Sequence, residues 1–164
     1  MDGNLNQRLA EVAVIAVRLE AETSVPARLL IAQWAVESKW GAKPVGHENY
    51  FGIKRAARHS KCCVVMTREV IAGQSRNLRL EFADYDSLSD ACRDYAWLIS
   101  HGDPYRKAWT SYKLNADFNA LAEGVARVYA MDPKYAALVK QIAAQANVEA
   151  AIQAAQKESC QCAS

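Results

Sequence analysis

Between Ser24 and Gly41 the chain reads SVPARLLIAQWAVESKWG, a mostly apolar run with helical spacing. Ser24 is suited to cap the first free amides of a helix, and Pro26 fits the first helical turn. Gly41 lies where the chain must leave that helix through a left-handed residue. Leu30, Trp34 and Glu37 fall at i, i+4 and i+7 and so share one face. A carboxyl group in line with a leucine and a tryptophan is disfavoured in its charged form by burial. The negative end of the helix dipole disfavours it again. Both effects raise the Glu37 pKa, as a general acid working near neutral pH requires. The same spacing also fits an exposed glutamate beside Lys39, with Trp34 and Trp40 only packing, and these residues alone leave both readings open.

With 164 residues and 18.1 kDa, the expectation is a single domain over residues 1–164. A hydrophobic share of 51% beside 23% charged residues excludes a disordered chain. A net charge of +2, with no block of Lys and Arg, gives no footprint for nucleic acid. No apolar run approaches the length of a membrane span. The first twenty residues carry Arg8, Glu11 and Arg18 and lack the basic and apolar regions of a secretory signal. Synthesis in the cytoplasm is therefore expected, with another carrier if the protein acts elsewhere.

Taken in order, Leu5, Leu9, Val12, Ala16 and Leu19 predict an amphipathic helix from about Asn4 to Ala21. After the central helix, KPVGHENYFGIKRAARHSK reads as a long loop, a kind that is often functional in compact domains. From Cys62 to Phe82 the segments CVVMT, REVI and LRLEF predict a small hairpin or three-stranded flap. Ser87 and Asp90 form a capping-box signal for a helix carrying Leu88, Ala91, Cys92, Tyr95, Leu98 and Ile99. Asp103 and Pro104 open a short turn through Trp109. Asp117 precedes a helix carrying Phe118, Leu121, Val125 and Val128. Asp132 and Pro133 begin another with Tyr135, Leu138, Val139 and Ile142 inward, and an alanine-rich helix closes the chain. The expected class is α+β and predominantly helical, with helices around a central buried one and a small β-hairpin lobe.

Several separated segments together resemble the bacterial N-acetylglucosaminidases of glycoside hydrolase family 73. The signature Ala-Gln pair followed by Glu-Ser-x-Trp-Gly is met by Ala32, Gln33, Glu37, Ser38, Trp40 and Gly41. Asn-x-Phe-Gly-Ile-Lys is met by Asn49, Phe51, Gly52, Ile53 and Lys54. Thr67, Glu69 and Gly73 resemble the family's strand motif, with a slip of one residue at the threonine, and Phe82, Tyr85 and Ser87 resemble the next block. Tyr-Ala-x-Asp-Pro-x-Tyr-Ala appears as Tyr129, Ala130, Asp132, Pro133, Tyr135 and Ala136. Met131 stands where a threonine is usual, and the loop before Cys62 is short with a vicinal cysteine pair. The resemblance runs in order from about Val25 to Val139. It implies a lysozyme-like fold, cleavage of the β-1,4 bond after N-acetylglucosamine in peptidoglycan glycan strands, and Glu37 as the catalytic acid.

Glycoside cleavage needs a proton for the leaving oxygen and a base or nucleophile for the oxocarbenium-like centre. Glu69, in the flap, is the leading candidate base, against the reading of a solvent-facing strand glutamate. If instead the substrate's own 2-acetamido group attacks, Tyr129 becomes the partner that orients it, against the reading of a core aromatic. Gln33, Trp40, Asn49, Tyr50, Phe51, Tyr105 and Asp132 complete the substrate-binding candidates, with Trp109 also suited to stacking on a sugar. Asp132 before Pro133 is favoured as an N-cap. His47 and His59 read as solvated loop histidines; no metal site and no cofactor are expected. Cys92 is expected buried and free, whereas Cys62, Cys63, Cys160 and Cys162 could form two flap-to-tail disulfides or remain reduced. A thiolate metal site is disfavoured by the spacing.

Absence of an export signal and of wall-binding repeats points to delivery into a target periplasm, as an antibacterial type VI secretion effector or as a phage lysin released through a holin. The effector reading implies an immunity protein that plugs the cleft, and the domain itself is expected to be a monomer. A lytic transglycosylase is the rival enzyme, and an inactive wall-binding helical domain the rival of another class.

Overall fold

The computed structural model of the chain describes residues 3–71, 73–130, 132 and 134–161, with the side chains of 67–71 outside that description. Its centre is helix α2 (Ala27–Ser38), nine of whose twelve residues are buried. A helix apolar nearly all round must be enclosed by others. Here α1 (Gly3–Thr23), α3 (Leu88–His101), α6 (Lys134–Ala143) and α7 (Ala146–Gln161) pack against it. A 3-10 turn, Asp103–Tyr105, leads into α4 (Arg106–Asn115), which lies along α5 (Phe118–Tyr129), and α5 leans in turn on α6. The predicted α1 stripe is the buried one: Leu9, Val12, Ala16 and Leu19 are all in the core. Ser87 accepts the Asp90 amide at 3.1 Å and Asp117 accepts the Ala120 amide at 3.0 Å, so both capping signals start the helices they predict. Leu138, expected inward, is instead 43% exposed, one step or about 100° around its helix from the buried Val139.

The ends of α2 differ from the sequence reading. Ser24 adopts φ +65°, and the N-cap is Pro26 with no side-chain hydrogen bond. Thr23 organises this corner, its hydroxyl donating to the Leu19 carbonyl at 2.6 Å and accepting the Val25 amide at 3.2 Å. The exit is left-handed as expected, but over three residues: Lys39, Trp40 and Gly41 have φ of 52°, 59° and 76°. Gly41 also has no room for a side chain, since a Cβ would fall 2.6 Å from Trp34 Cζ2.

The flap is a two-stranded hairpin. Strands β1 (Cys62–Ile71) and β2 (Gln74–Ala83) pair antiparallel from Cys62↔Ala83 to Ile71↔Gln74, and CVVMT and REVI form one continuous strand. Cys62, Cys63 and Cys92 are free thiols, the reduced one of the two readings the sequence left open; Cys162 lies outside the described residues. Strand alternation explains this: adjacent residues point to opposite faces, so Cys62 and Cys63 cannot both turn toward one tail. Cys63 Sγ packs against Gly46, whereas α7 packs on α1, α2 and α6. Cys92 is fully buried, as expected, and burial pushes its thiol pKa well up.

The long loop between α2 and β1 is ordered by two polar anchors. Asn49 is fully buried, and its amide donates to the Ile53 carbonyl at 2.9 Å and the Ala83 carbonyl at 2.8 Å. Its oxygen accepts the amides of Phe51 and Ile53 at 3.3 and 3.1 Å. The second anchor is Asp94 on α3. It accepts from Tyr85 at 2.6 Å, from His59 Nε2 at 3.0 Å and from Arg58 Nε at 2.9 Å. Burial alone would raise its pKa, but these donors outweigh it and hold the carboxyl below its ordinary value. His59 is therefore not a solvated loop histidine: its side chain is 6% exposed, and its Nδ1 accepts the Ala56 amide at 2.8 Å.

Candidate functional site

Glu37 stands in the last turn of α2, half-buried, where the helix meets α6 and the loop. One carboxylate oxygen, Oε1, accepts the hydroxyl of Tyr135 from α6. The other, Oε2, faces Gly52, at which a Cβ would lie 3.8 Å away. Gly52 has φ +62°, a conformation that costs a glycine nothing, and it keeps that side of the carboxyl open. It lines a groove of about 400 Å³ together with Lys54, Arg58, Tyr105, Val128 and Tyr129. The base of the hairpin borders the same groove through the bridge between Lys54 and Phe82.

The groups facing Glu37 are phenols from four elements: Tyr95 on α3, Tyr105 on the 3-10 turn, Tyr129 at the end of α5 and Tyr135 on α6. Burial raises the Glu37 pKa above 4.5, and the hydrogen bond from Tyr135 opposes that rise only in part. The sequence argument from desolvation thus describes this carboxyl correctly. The phenols shift upward for the same reason, Tyr105 to about 12, so all four remain neutral donors at physiological pH. Tyr129 stacks parallel to Tyr135 with centroids 6.5 Å apart, and its buried hydroxyl makes no hydrogen bond to the described protein atoms.

Four of the sequence candidates converge here: Tyr105 and Tyr129 line the groove, Glu37 lies beside its Gly52 edge, and Gln33 sits behind Glu37. Gln33 is fully buried, so it has no face for a ligand; it connects Tyr95 to Tyr135. Asn49 and Phe51 lie in the interior, Asn49 as the loop anchor and Phe51 stacked on Tyr95 at 4.5 Å. Trp40 packs edge-on to Trp34 at 6.2 Å, and Tyr50 lies by Glu48; neither lines the groove. Trp109 stacks on Tyr112 at 5.8 Å, also away from it. Asp132 accepts the Lys134 amide at 2.8 Å, the cap position read from the sequence, and borders a separate groove of about 520 Å³ between α5 and α6. Glu69 is on β1 opposite Arg76; its side chain lies outside the described residues. At the strand's rise per residue its backbone is about 23 Å along the hairpin from Cys62.

Tyr135 is the residue that sequence reasoning passed over, placing it on an apolar stripe with no role at the site. A signal was available: Gln33 and Glu37 are polar residues four apart within the apolar run from Leu29 to Glu37, and buried polar groups require partners. Among the described residues, no group of three His, Cys, Asp or Glu could hold a metal ion, and no helix is long and apolar enough to cross a membrane.

In class, a helical body around one buried helix, with a hairpin arm beside a groove, is the lysozyme-like fold. The catalytic domain of the Listeria monocytogenes autolysin Auto superposes with a TM-score of 0.77 at 20% identity, covering 92% of this chain and 89% of that one. A peptidoglycan hydrolase from Sphingomonas sp. A1 gives a TM-score of 0.70 at 25% identity, covering 92% and 94%. The glucosaminidase model, described as mannosyl-glycoprotein endo-beta-N-acetylglucosaminidase, matches residues 13–148, and the chain belongs to that family of glycoside hydrolases. The Escherichia coli K12 peptidoglycan hydrolase FlgJ is 27% identical over 143 residues, which is 83% of this chain and 45% of that relative. The chain thus spans less than half the length of the curated relatives it matches.

Proposed function

We propose that this domain hydrolyses the β-1,4 bond that follows N-acetylglucosamine in peptidoglycan, with Glu37 as the general acid. The observation that carries this reading is the asymmetry of the Glu37 carboxyl. Tyr135 occupies Oε1, while Oε2 lies beside Gly52, a residue that lines the groove. In the reaction the Oε2–H bond breaks and the proton passes to the glycosidic oxygen. The bond from that oxygen to the anomeric carbon then breaks, with its electron pair staying on the oxygen. Glu37 is left as a carboxylate, and the Tyr135 hydroxyl already donates to it. A water adds to the anomeric carbon, and its released proton restores the acid.

For the second role, Tyr129 supports assistance by the substrate. Its ring lines the groove and its buried hydroxyl makes no hydrogen bond to the described protein atoms, so a turn of the side chain toward the groove would let it orient a 2-acetamido oxygen that attacks the anomeric carbon. Glu69 would serve if the hairpin brought it over the groove to activate the water directly.

The test is mass analysis of fragments released from purified sacculi by the wild type and by Glu69→Gln. The proposal expects new reducing ends of N-acetylglucosamine carrying the mass of one added water, with Glu69→Gln retaining most of the rate. Anhydromuramic ends would make the enzyme a lytic transglycosylase, and reducing muramic ends would move the cut to the other bond. Loss of turnover in Glu69→Gln would return the second role to Glu69.

A further inference from the structure

Gln33 is a fully buried amide on the central helix, one turn before Glu37, and a buried amide is costly unless every hydrogen bond is used. The surrounding bonds form a directed chain. The Tyr95 hydroxyl donates to Gln33 Oε1 at 2.6 Å, Gln33 Nε2 donates to the Tyr135 oxygen at 2.9 Å, and the Tyr135 hydroxyl donates to Glu37 Oε1. Each direction fixes the next. Tyr95 has a single proton and gives it to the amide oxygen, so the amide nitrogen must face Tyr135. Tyr135 then receives a hydrogen bond from Gln33 and can satisfy its own proton only by turning it toward Glu37.

We propose that Gln33 is a positioning residue which, by donating to Tyr135, reserves Glu37 Oε1 as an acceptor and so places the transferable proton on Oε2, the oxygen on the side of Gly52, which lines the groove. Were the proton on Oε1, it would confront the Tyr135 hydroxyl hydrogen, and Tyr135 would have no acceptor for it. Gln33 thus acts on the acid without touching substrate. The inference rests on the reading of Glu37 as the general acid and adds the atom from which the proton leaves.

Without the Gln33 donor, the Tyr135 oxygen is open to a proton from Oε1. The protonated acid then has two arrangements, of which only one faces the groove. Turnover should fall, and the pH at which activity is lost on the alkaline side should rise, because the protonated form is stabilised.

The experiment is a double-mutant cycle of Gln33→Met and Tyr135→Phe, with Tyr95→Phe beside it. Clearance of purified sacculi is followed against pH, and the melting temperature of each variant is recorded. Methionine keeps the unbranched shape of glutamine without its donor. Gln33→Met is expected to lower kcat about tenfold at unchanged KM and to move the alkaline limb upward by about half a pH unit. Tyr135→Phe should move the limb in the same direction, and adding Gln33→Met to it should move it no further. Tyr95→Phe keeps the ring and should give a smaller loss of kcat with the same sign; it decides the question if Gln33→Met does not fold. Wild-type kcat and pH profile in the foldable variant, or additive shifts in the double variant, would overturn the proposal. Glu37→Gln in the same assay separates the two levels. Activity retained there defeats the function itself, whereas an inactive Glu37→Gln beside an unaltered Gln33→Met defeats only the positioning role.

Discussion

Glu37→Gln is expected to lower the rate of sacculus digestion by roughly 10³-fold, the scale of a lost general acid, while the melting temperature rises on the alkaline side of the Glu37 pKa. Two physical terms combine in this one substitution. Glutamine keeps the size of the side chain and its carbonyl oxygen can still accept the Tyr135 hydroxyl, so the packing of α2 on α6 is preserved. What is lost is a proton that can leave. The sign of the stability change follows from the direction of the pKa shift. Glu37 is raised above 4.5 by burial, so its contribution to stability is fully present below the unfolded pKa and is lost as pH rises through the folded one. Once pH rises above the folded pKa the native protein holds a charge that it solvates poorly, and the amide removes that cost. Rate measurements beside thermal melts at pH 5 and pH 8 check both parts. The stabilisation should be larger at the higher pH, and a destabilised, inactive variant would mean that the carboxyl is structural.

The second large effect belongs to Asn49. Its side chain satisfies the carbonyls of Ile53 and Ala83 and the amides of Phe51 and Ile53, four backbone groups of which the Ile53 carbonyl also accepts the Ala83 amide at 2.9 Å. Asn49→Ala leaves the other three in a buried place without partners, at about 1–3 kcal/mol for each group that water cannot reach. Partial relaxation of the loop brings the expected total to on the order of 3 kcal/mol. For a chain of this size that corresponds to a fall in melting temperature of about 8 °C, measurable by urea unfolding and calorimetry. Activity should fall as well, because the same hydrogen bonds hold the loop that presents Gly52 to Glu37. A loss below about 1 kcal/mol would show that Asn49 is not the anchor of this loop.

Much of this architecture was legible in the sequence, for reasons that differ by residue. The burial of α2 follows from apolar residues all around it, and the starts of α3 and α5 from Ser87 and Asp117, whose side chains act within three residues of themselves. Such local signals survive folding unchanged. Glu37 was legible because its spacing with Trp34 is a property of one helix. The partners of Glu37 were not, because Tyr135 reaches it across 98 positions, and only the packing of α6 on α2 brings them together. The same limit explains Asn49 and Gln33. Their residue types suggest contact with a ligand, but long-range geometry turns both inward onto the protein's own polar groups. Of the two cysteine readings the sequence left open, the structure has Cys62 and Cys63 as free thiols, in keeping with the opposite facing of adjacent strand residues.

The most direct measurement is a ¹³C NMR titration of the Glu37 side-chain carboxyl in the folded protein. The account predicts a midpoint above 4.5 that coincides with the alkaline limb of the rate profile, and a further rise in Tyr135→Phe as the opposing hydrogen bond is lost. A midpoint at or below 4.5, indifferent to Tyr135→Phe, would contradict it, because a carboxyl of that kind has no proton to give at the pH where the enzyme must work.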